Sequence, residues 1–250
     1  METDVREFPL VTAVRDGRAL RHLMAWTQMA TILEARDLYR FFHADDEETL
    51  ALRGVSLRVE TGEMVAITGP SGSGKSTLLA CLAGTDEPNG GEVRIGGERI
   101  TRRPEPYRAA IRARNLGFLL QSDNLIEHLS VEENVLLPMR LAGKENKTRL
   151  NDLLRALGLI DRRRAYPEQL SGGEAARAGL AVALAAAPKI LLADEPTGEV
   201  DVVTEGWILD LMEKHCRDGG AVIVATHSTA LADRAHRIVR LFDGKVVGNG

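Results

Sequence analysis

Cysteine is scarce. Cys81 and Cys216 are the 2 cysteines of a 250-residue chain, far apart and without metal-site spacing. Both read as small buried or semi-buried thiols of a protein kept in a reducing compartment. Aromatic residues make up 4% of the chain, and no charge sign dominates: Lys+Arg 32 against Asp+Glu 36 leaves a net charge of -4. Electrostatic binding to DNA or RNA therefore has no basis in composition. No apolar run approaches the roughly 18 residues of a membrane span, so any membrane role is expected to pass through a partner. The N-terminus shows no basic region followed by an apolar one, hence no expected secretion signal. No internal repeat is present. What remains, 44% hydrophobic and 27% charged, is the composition of a globular protein with a sizeable core, in one large or two small domains.

Against this background one stretch stands out, Gly69-Pro70-Ser71-Gly72-Ser73-Gly74-Lys75-Ser76-Thr77. It fits the phosphate-binding pattern G-x-x-x-x-G-K-[ST]. Met64-Val65-Ala66-Ile67-Thr68 before it reads as a buried strand, and Ser76 to Ala83 after it as a helix closed by Gly84. The residue types suit the chemistry. Gly72 and Gly74 let backbone N–H groups ring a phosphate chain at a helix N-terminus. Lys75 is placed for the β- and γ-phosphates, and the Ser76 hydroxyl for Mg²⁺.

The rest of the chain supplies an α/β pattern. Residues 1–30 read as a loosely ordered N-terminal extension, with Met24 and Met29 both usable as starts and Ala19 to Ala30 able to form a short helix. Thr31 to Asp37 alternates as a strand, followed by the aromatics Tyr39, Phe41 and Phe42, then an acidic turn at Asp45 to Glu48 and a second strand pattern from Leu50 to Val59. The aromatics are either core or a stacking surface for an adenine ring. Glu92 to Ile95 with Gly96-Gly97 reads as a hairpin. Arg99 to Arg114 is interleaved with acids and reads as a solvated face. Leu116 to Leu120 is a buried strand ended by Gln121. From Leu125 to Leu170 the pattern is helical, with start signals at Asn124 and Ser130, and Arg162-Arg163-Arg164 is expected to be exposed. Ser171-Gly172-Gly173-Glu174 opens an Ala-rich helix. Ile190 to Ala193 is an apolar strand ending in Asp194 and Glu195. Asp194 there suits Mg²⁺ held through water, and Glu195 suits a general base. Ala221 to Thr226 is a further strand ending at His227, and a hairpin turns at Asp243-Gly244.

Taken in order after the P-loop, Gln121, Leu170-Ser171-Gly172-Gly173-Glu174, Leu191 to Gly198, Asp201 and His227 resemble the nucleotide-binding domain of an ABC transporter. The resemblance runs from about Thr31 to Val247. Val131-Glu132-Glu133-Asn134-Val135 and Ala193 to Gly198 resemble the branch of macrolide exporters, lipoprotein-release and cell-division ATPases. The resemblance implies an α/β fold: a P-loop NTPase (RecA-like) core, an antiparallel β subdomain, and a helical subdomain inserted at about 122–174. It implies ATP and Mg²⁺ as cofactors. Ser71, Gly72, Ser73, Gly74, Lys75, Ser76 and Thr77 would hold the nucleotide phosphates, and Phe42, with Tyr39 and Phe41 as alternatives, would stack on adenine. Ser76, Gln121 and Asp194 would serve Mg²⁺. Glu195, His227 and Gln121 would be catalytic.

Ser171, Gly172 and Gly173 would contact ATP held by an opposite subunit, with Asp201 at the seam. The partners implied are an integral-membrane permease and a second copy or a related ATPase chain. No nucleic acid is expected, and the chain would sit on the cytoplasmic side of the membrane through its permease. A soluble ABC-type ATPase working on nucleic acid or ribosomes is the alternative. Ala175, Ala176 and Val182 depart from the family's signature helix, and Glu199-Val200 from its usual Asn-Leu. These changes touch the trans contacts, not the catalytic positions.

Overall fold

The computed structural model describes residues 30–44, 47–198 and 200–249. The expected extension and its short helix lie outside the described residues, as do Asp45, Asp46 and Glu199. The chain divides into two units, residues 1–30 and 31–250, and the elements below all belong to the second.

The chain is an α/β P-loop NTPase fold. Its centre is a six-stranded sheet of β3 (Met64–Thr68), β6 (Leu116–Leu119), β7 (Ile190–Asp194), β8 (Ala221–Ala225), β9 (Arg237–Phe242) and β10 (Lys245–Asn249). The order is β10-β9-β3-β8-β7-β6. All neighbours are parallel except the β9–β10 hairpin. The central strands β3, β7 and β8 are short apolar runs because both faces are covered. In β7, Ile190 and Leu192 enter one core while Leu191 and Ala193 enter the other; β8 divides Ile223 from Val222 and Val224 in the same way. At about 1.5–3 kcal/mol per fully buried Val, Leu or Ile side chain, this double burial fixes register strongly, since a one-residue slip would exchange the two cores.

A four-stranded antiparallel sheet packs into the first core. β1 (Thr31–Ala44), β2 (Glu47–Glu60), β4 (Gly90–Ile95) and β5 (Glu98–Arg99) run in the order β2-β1-β4-β5. The β4–β5 hairpin turns at Gly96-Gly97, both at positive φ. β1 is longer than the alternating run suggests because irregularities carry it on. Asp37 sits at φ 48, and the pairing with β2 shifts between Ala35 and Leu38. The first core is completed by α1 (Lys75–Ala83), capped by Gly84 at φ 66, and by Ile111 of α2 (Glu105–Asn115).

Between β6 and β7 come α3 (Val131–Leu141), α4 (Lys147–Ala156), two 3₁₀ turns and α5 (Gly172–Ala185). Helix α3 starts at Ser130 through a capping box with Glu133. Asn124 starts no helix. Its amide pairs with both the N–H and the C=O of Leu120, at 2.8 and 2.7 Å, and so closes the loop after β6. In the arginine triplet Arg162 and Arg164 are exposed as expected, and Arg163 is the exception. Arg163 is half-buried in a two-point pair with Glu132, at 2.5 and 3.0 Å, and ties the chain before α5 to the start of α3. α6 (Val202–Arg217) connects β7 to β8, and α7 (Thr229–Arg234) connects β8 to β9. Both cysteines are buried and free, and burial pushes their thiols up to about 12 for Cys81 and about 11 for Cys216.

Candidate functional site

The P-loop joins the C-terminal end of β3 to the first turn of α1. Gly74, the N-cap of α1, sits at φ 101, and a Cβ there would meet the Ala51 carbonyl oxygen at 2.5 Å. Only glycine fits both demands. The loop is braced from outside its own sequence: the Ser73 carbonyl accepts from Gly244 N–H at 3.1 Å, and Gly244 in turn accepts from Arg53 N–H at 2.8 Å. Lys75 Nζ donates to the Gly69 and Pro70 carbonyls at 2.9 and 3.1 Å, so the ammonium lies over the loop.

A cavity of about 800 Å³ opens on this loop. Phe42, Ser71, Gly72, Gly74, Lys75, Ser76, Thr77, Gln121, Asp194, Glu195 and His227 all line it. Ser73 is buried and does not line it. Of the three candidate aromatics only Phe42 lines the cavity. Tyr39 instead lies against Gly54 and Gly90. The Arg40 guanidinium sits 4.5 Å from the Phe42 ring centroid and is held by Asp86 at 2.8 Å. The sequence reading did not place Thr49, Leu50, Ala51, Arg53, Asp243 and Gly244 at the site, and they also line the cavity. They come from two hairpins far apart in the chain, and Arg53 and Asp243 pair at 3.0 Å.

The acids sit where β7 leaves the sheet. Glu195 adopts φ 45, a conformation that costs a non-glycine residue on the order of 1–3 kcal/mol. Three hydrogen bonds hold it there. Its N–H donates to Ala225 O at 2.9 Å, its carbonyl accepts from Gly198 at 3.1 Å, and its Oε2 accepts from His227 N–H at 3.2 Å. The same Oε2 lies 2.9 Å from His227 Nδ1. The carboxylate is mostly covered while the imidazole is exposed. Ser76 hydroxyl, Gln121 amide and Asp194 carboxylate offer hard oxygens to the same cavity, a donor set that fits Mg²⁺.

The Ser-Gly-Gly stretch lies elsewhere. Ser171, Gly172, Gly173 and Asp201 do not line the cavity. Gly172 lines a second groove of about 320 Å³ that shares Gln121 and Glu195 with the first. Ser171 is the N-cap of α5 in a capping box with Glu174. The Ser171 N–H, followed by Arg162, holds the Glu174 carboxyl below the usual carboxylate range. Asp201 is the N-cap of α6: Oδ1 accepts from Val203 and Thr204 N–H at 2.9 and 3.0 Å, and Oδ2 from the Thr204 hydroxyl at 2.7 Å. The Thr204 N–H is the main cause of its lowered pKa.

This geometry is that of a nucleotide site beside a separate helix N-terminus, and comparison with known proteins decides the family. The ABC transporter family model matches residues 52–198. The chain belongs to the ABC transporter family. An uncharacterized ABC transporter ATP-binding protein of Thermotoga maritima is 44% identical over 223 residues, 88% of this chain and 95% of that one. The macrolide export ATP-binding/permease protein MacB of Shigella flexneri is 40% identical over 224 residues. The chain spans only 35% of that relative's length. Among solved structures, a dimeric ATP-binding cassette in a post-hydrolysis state bound to ADP and Pi superposes with a TM-score of 0.82. It is 35% identical over 87% of this chain and 97% of that one. The ATP binding subunit of another ABC transporter gives 0.78 at 30% identity, over 88% of this chain and 90% of that one. This ABC transporter chain is an ATP-binding, ATP-hydrolysing cassette, and it stands with transporter ATPases rather than with ATPases acting on nucleic acid. No helix among the described residues is long and apolar enough to cross a membrane.

Proposed function

We propose that this cassette hydrolyses ATP within a face-to-face pair and that the opening and closing of the pair drives a membrane permease. The observation that carries the catalytic half is the single cavity joining the P-loop, Gln121, Asp194, Glu195 and His227. In this reading the N–H groups of Gly72 to Thr77 and the Lys75 ammonium hold the β- and γ-phosphates. Phe42 stacks on the adenine, with Arg40 behind it. Ser76, Gln121 and Asp194 hold Mg²⁺, which supplies charge neutralisation at the phosphates when bound.

Glu195 accepts a proton from a water, whose oxygen attacks the γ-phosphorus. The bond to the bridging oxygen breaks, leaving ADP and inorganic phosphate. His227, bonded to the Glu195 carboxylate at its backbone N–H and close to it at Nδ1, orients that base.

Ser171, Gly172 and Gly173 serve the ATP of the other subunit. Their absence from the chain's own cavity supports this, and so does the open space over Gly172, where a Cβ would meet nothing within 4 Å. A helix N-terminus of bare N–H groups suits a γ-phosphate. The solved relatives with dimeric cassettes support a pair of this kind. The relative named as an ATP-binding/permease protein for macrolide export supports a permease partner and an exporter-type task at the cytoplasmic face of a membrane.

The test compares native chain with Glu195→Gln for nucleotide binding and turnover. Loss of a general base is worth roughly 10²–10⁴ in rate. Glu195→Gln is expected to retain ATP binding and lose at least a hundredfold in turnover. Native turnover by Glu195→Gln removes Glu195 as the base.

A further inference from the structure

The N–H groups of Gly172 and Gly173 sit in the first turn of α5, and an anion arriving from another subunit meets them only if that turn is held in place. What lies beneath it is specific. An ideal Cβ on Gly173 would stand 3.0 Å from Thr204 Oγ1, 3.3 Å from Asp201 Oδ2 and 3.4 Å from Arg177 Nη1. Thr204 is 2% exposed, so its hydroxyl must find partners or cost about 1–3 kcal/mol. It uses both of its roles. Oγ1 donates to Asp201 Oδ2 at 2.7 Å and accepts from Arg177 Nη1 at 3.2 Å. Arg177 is one helical turn beyond Gly173. Its Nε donates to Leu157 O at 3.0 Å, and its guanidinium lies 5.1 Å from the Trp207 ring centroid. One buried hydroxyl therefore joins the N-cap carboxylate of α6 to a guanidinium of α5. The cluster also sets an acid against a base beside the place where a phosphate would approach. A carboxylate left unbalanced there would repel it.

We propose that Thr204 is a positioning residue for hydrolysis: its hydroxyl locks the first turn of α5 to the first turn of α6 and so presents Ser171 to Gly173 in fixed relation to Asp201. The proposal rests on the reading that the Ser-Gly-Gly stretch acts on the partner's ATP. It adds a residue that touches no nucleotide in either subunit's cavity. Thr204→Val keeps the shape and removes the hydroxyl, leaving Arg177 and Asp201 each one bond short. Thr204→Ser keeps the hydroxyl.

The test is hydrogen exchange of the full chain, native, Thr204→Val and Thr204→Ser, without nucleotide. Thr204→Val is expected to speed exchange of the bonded amides of residues 174–177 about tenfold, the effect of one hydrogen bond to a charged group. Residues 75–83 stay unchanged, and Thr204→Ser returns 174–177 to native rates. Native rates in Thr204→Val overturn the proposal, and so does a rise spread equally over residues 75–83, which marks a merely structural role. Thr204→Ala takes the place of Thr204→Val if the latter does not fold. A second readout places Thr204→Val in the Glu195→Gln background and follows ATP-dependent association. Loss of association with monomer nucleotide binding kept is the expected result; full association contradicts the proposal. If Glu195→Gln with native Thr204 fails to associate, the trans reading fails by itself, while the exchange rates still decide whether Thr204 fixes the turn.

Discussion

The P-loop and the Ser-Gly-Gly turn are both glycine-rich helix N-termini, yet they are held by different means. The P-loop is braced by main chain. Gly74 lies against the Ala51 carbonyl, and Ser73 accepts from Gly244. The Ser-Gly-Gly turn is braced by side chains, through the Ser171–Glu174 capping box and the Asp201–Thr204–Arg177 chain of hydrogen bonds. A main-chain brace binds its ligand in one place whatever the neighbouring subunit does. A side-chain brace between two helices can be set or released as those helices move. On the proposed function, this is the division the task requires: one site holds ATP within the chain, and the other completes it only on closure.

The comparison breaks most easily at the P-loop. Lys75→Ala removes the ammonium that lies over the loop, and ATP turnover should fall about a thousandfold, ~4 kcal/mol at the transition state, with nucleotide binding lost in a filter or fluorescence assay. Retained binding would mean the backbone N–H groups suffice. Next in size is Ser171→Arg. Turnover should fall by roughly a hundredfold while a monomer binds nucleotide as before; an equal fall in both would put Ser171 in its own chain's site.

The two signature glycines sharpen the contrast further. Gly173→Ala meets Thr204 at 3.0 Å, whereas Gly172→Ala meets open space. Denaturant titration should show a loss of about 1 kcal/mol for the first, from crowding, and none for the second, where alanine favours a helix. Equal effects would mean the turn does not rest on Thr204.

The smallest effect concerns His215. Burial, followed by the charge of Arg149, lowers its pKa from the ordinary 6.5. A depressed folded pKa means the unfolded chain binds the proton more readily. The contribution is then present above pH 6.5 and is lost as pH falls through the folded value. His215→Gln should flatten the melting temperature against pH below 6.5, and an unchanged slope would assign that loss to other groups.

Much of the fold was legible because its signals are contiguous. The central strands β3, β7 and β8 are short apolar runs, and the P-loop and the Ser-Gly-Gly helix are read within a few residues. The residues alone left the choice among Tyr39, Phe41 and Phe42 open, and only the family resemblance put Phe42, the one that lines the cavity, first. The choice depends on irregularities in β1, at Asp37 and between Arg40 and Phe41, which strand alternation cannot foresee. Arg53, Asp243 and Gly244 were not read as site residues for a different reason: their place at the cavity comes from two hairpins meeting over the P-loop, although Asp243-Gly244 was legible as a turn. Thr204 looks like an ordinary helix residue until the fold sets it under Gly173. Asn124 carries the composition of a helix start, but its amide is spent on Leu120.

The central claim is that one chain holds two half-sites which complete each other only across a pair. Light scattering of purified Glu195→Gln, with and without ATP, tests it most directly. The account predicts a monomer without nucleotide and with ADP, and a doubled mass with ATP. A chain that remains monomeric with ATP demonstrably bound would contradict it.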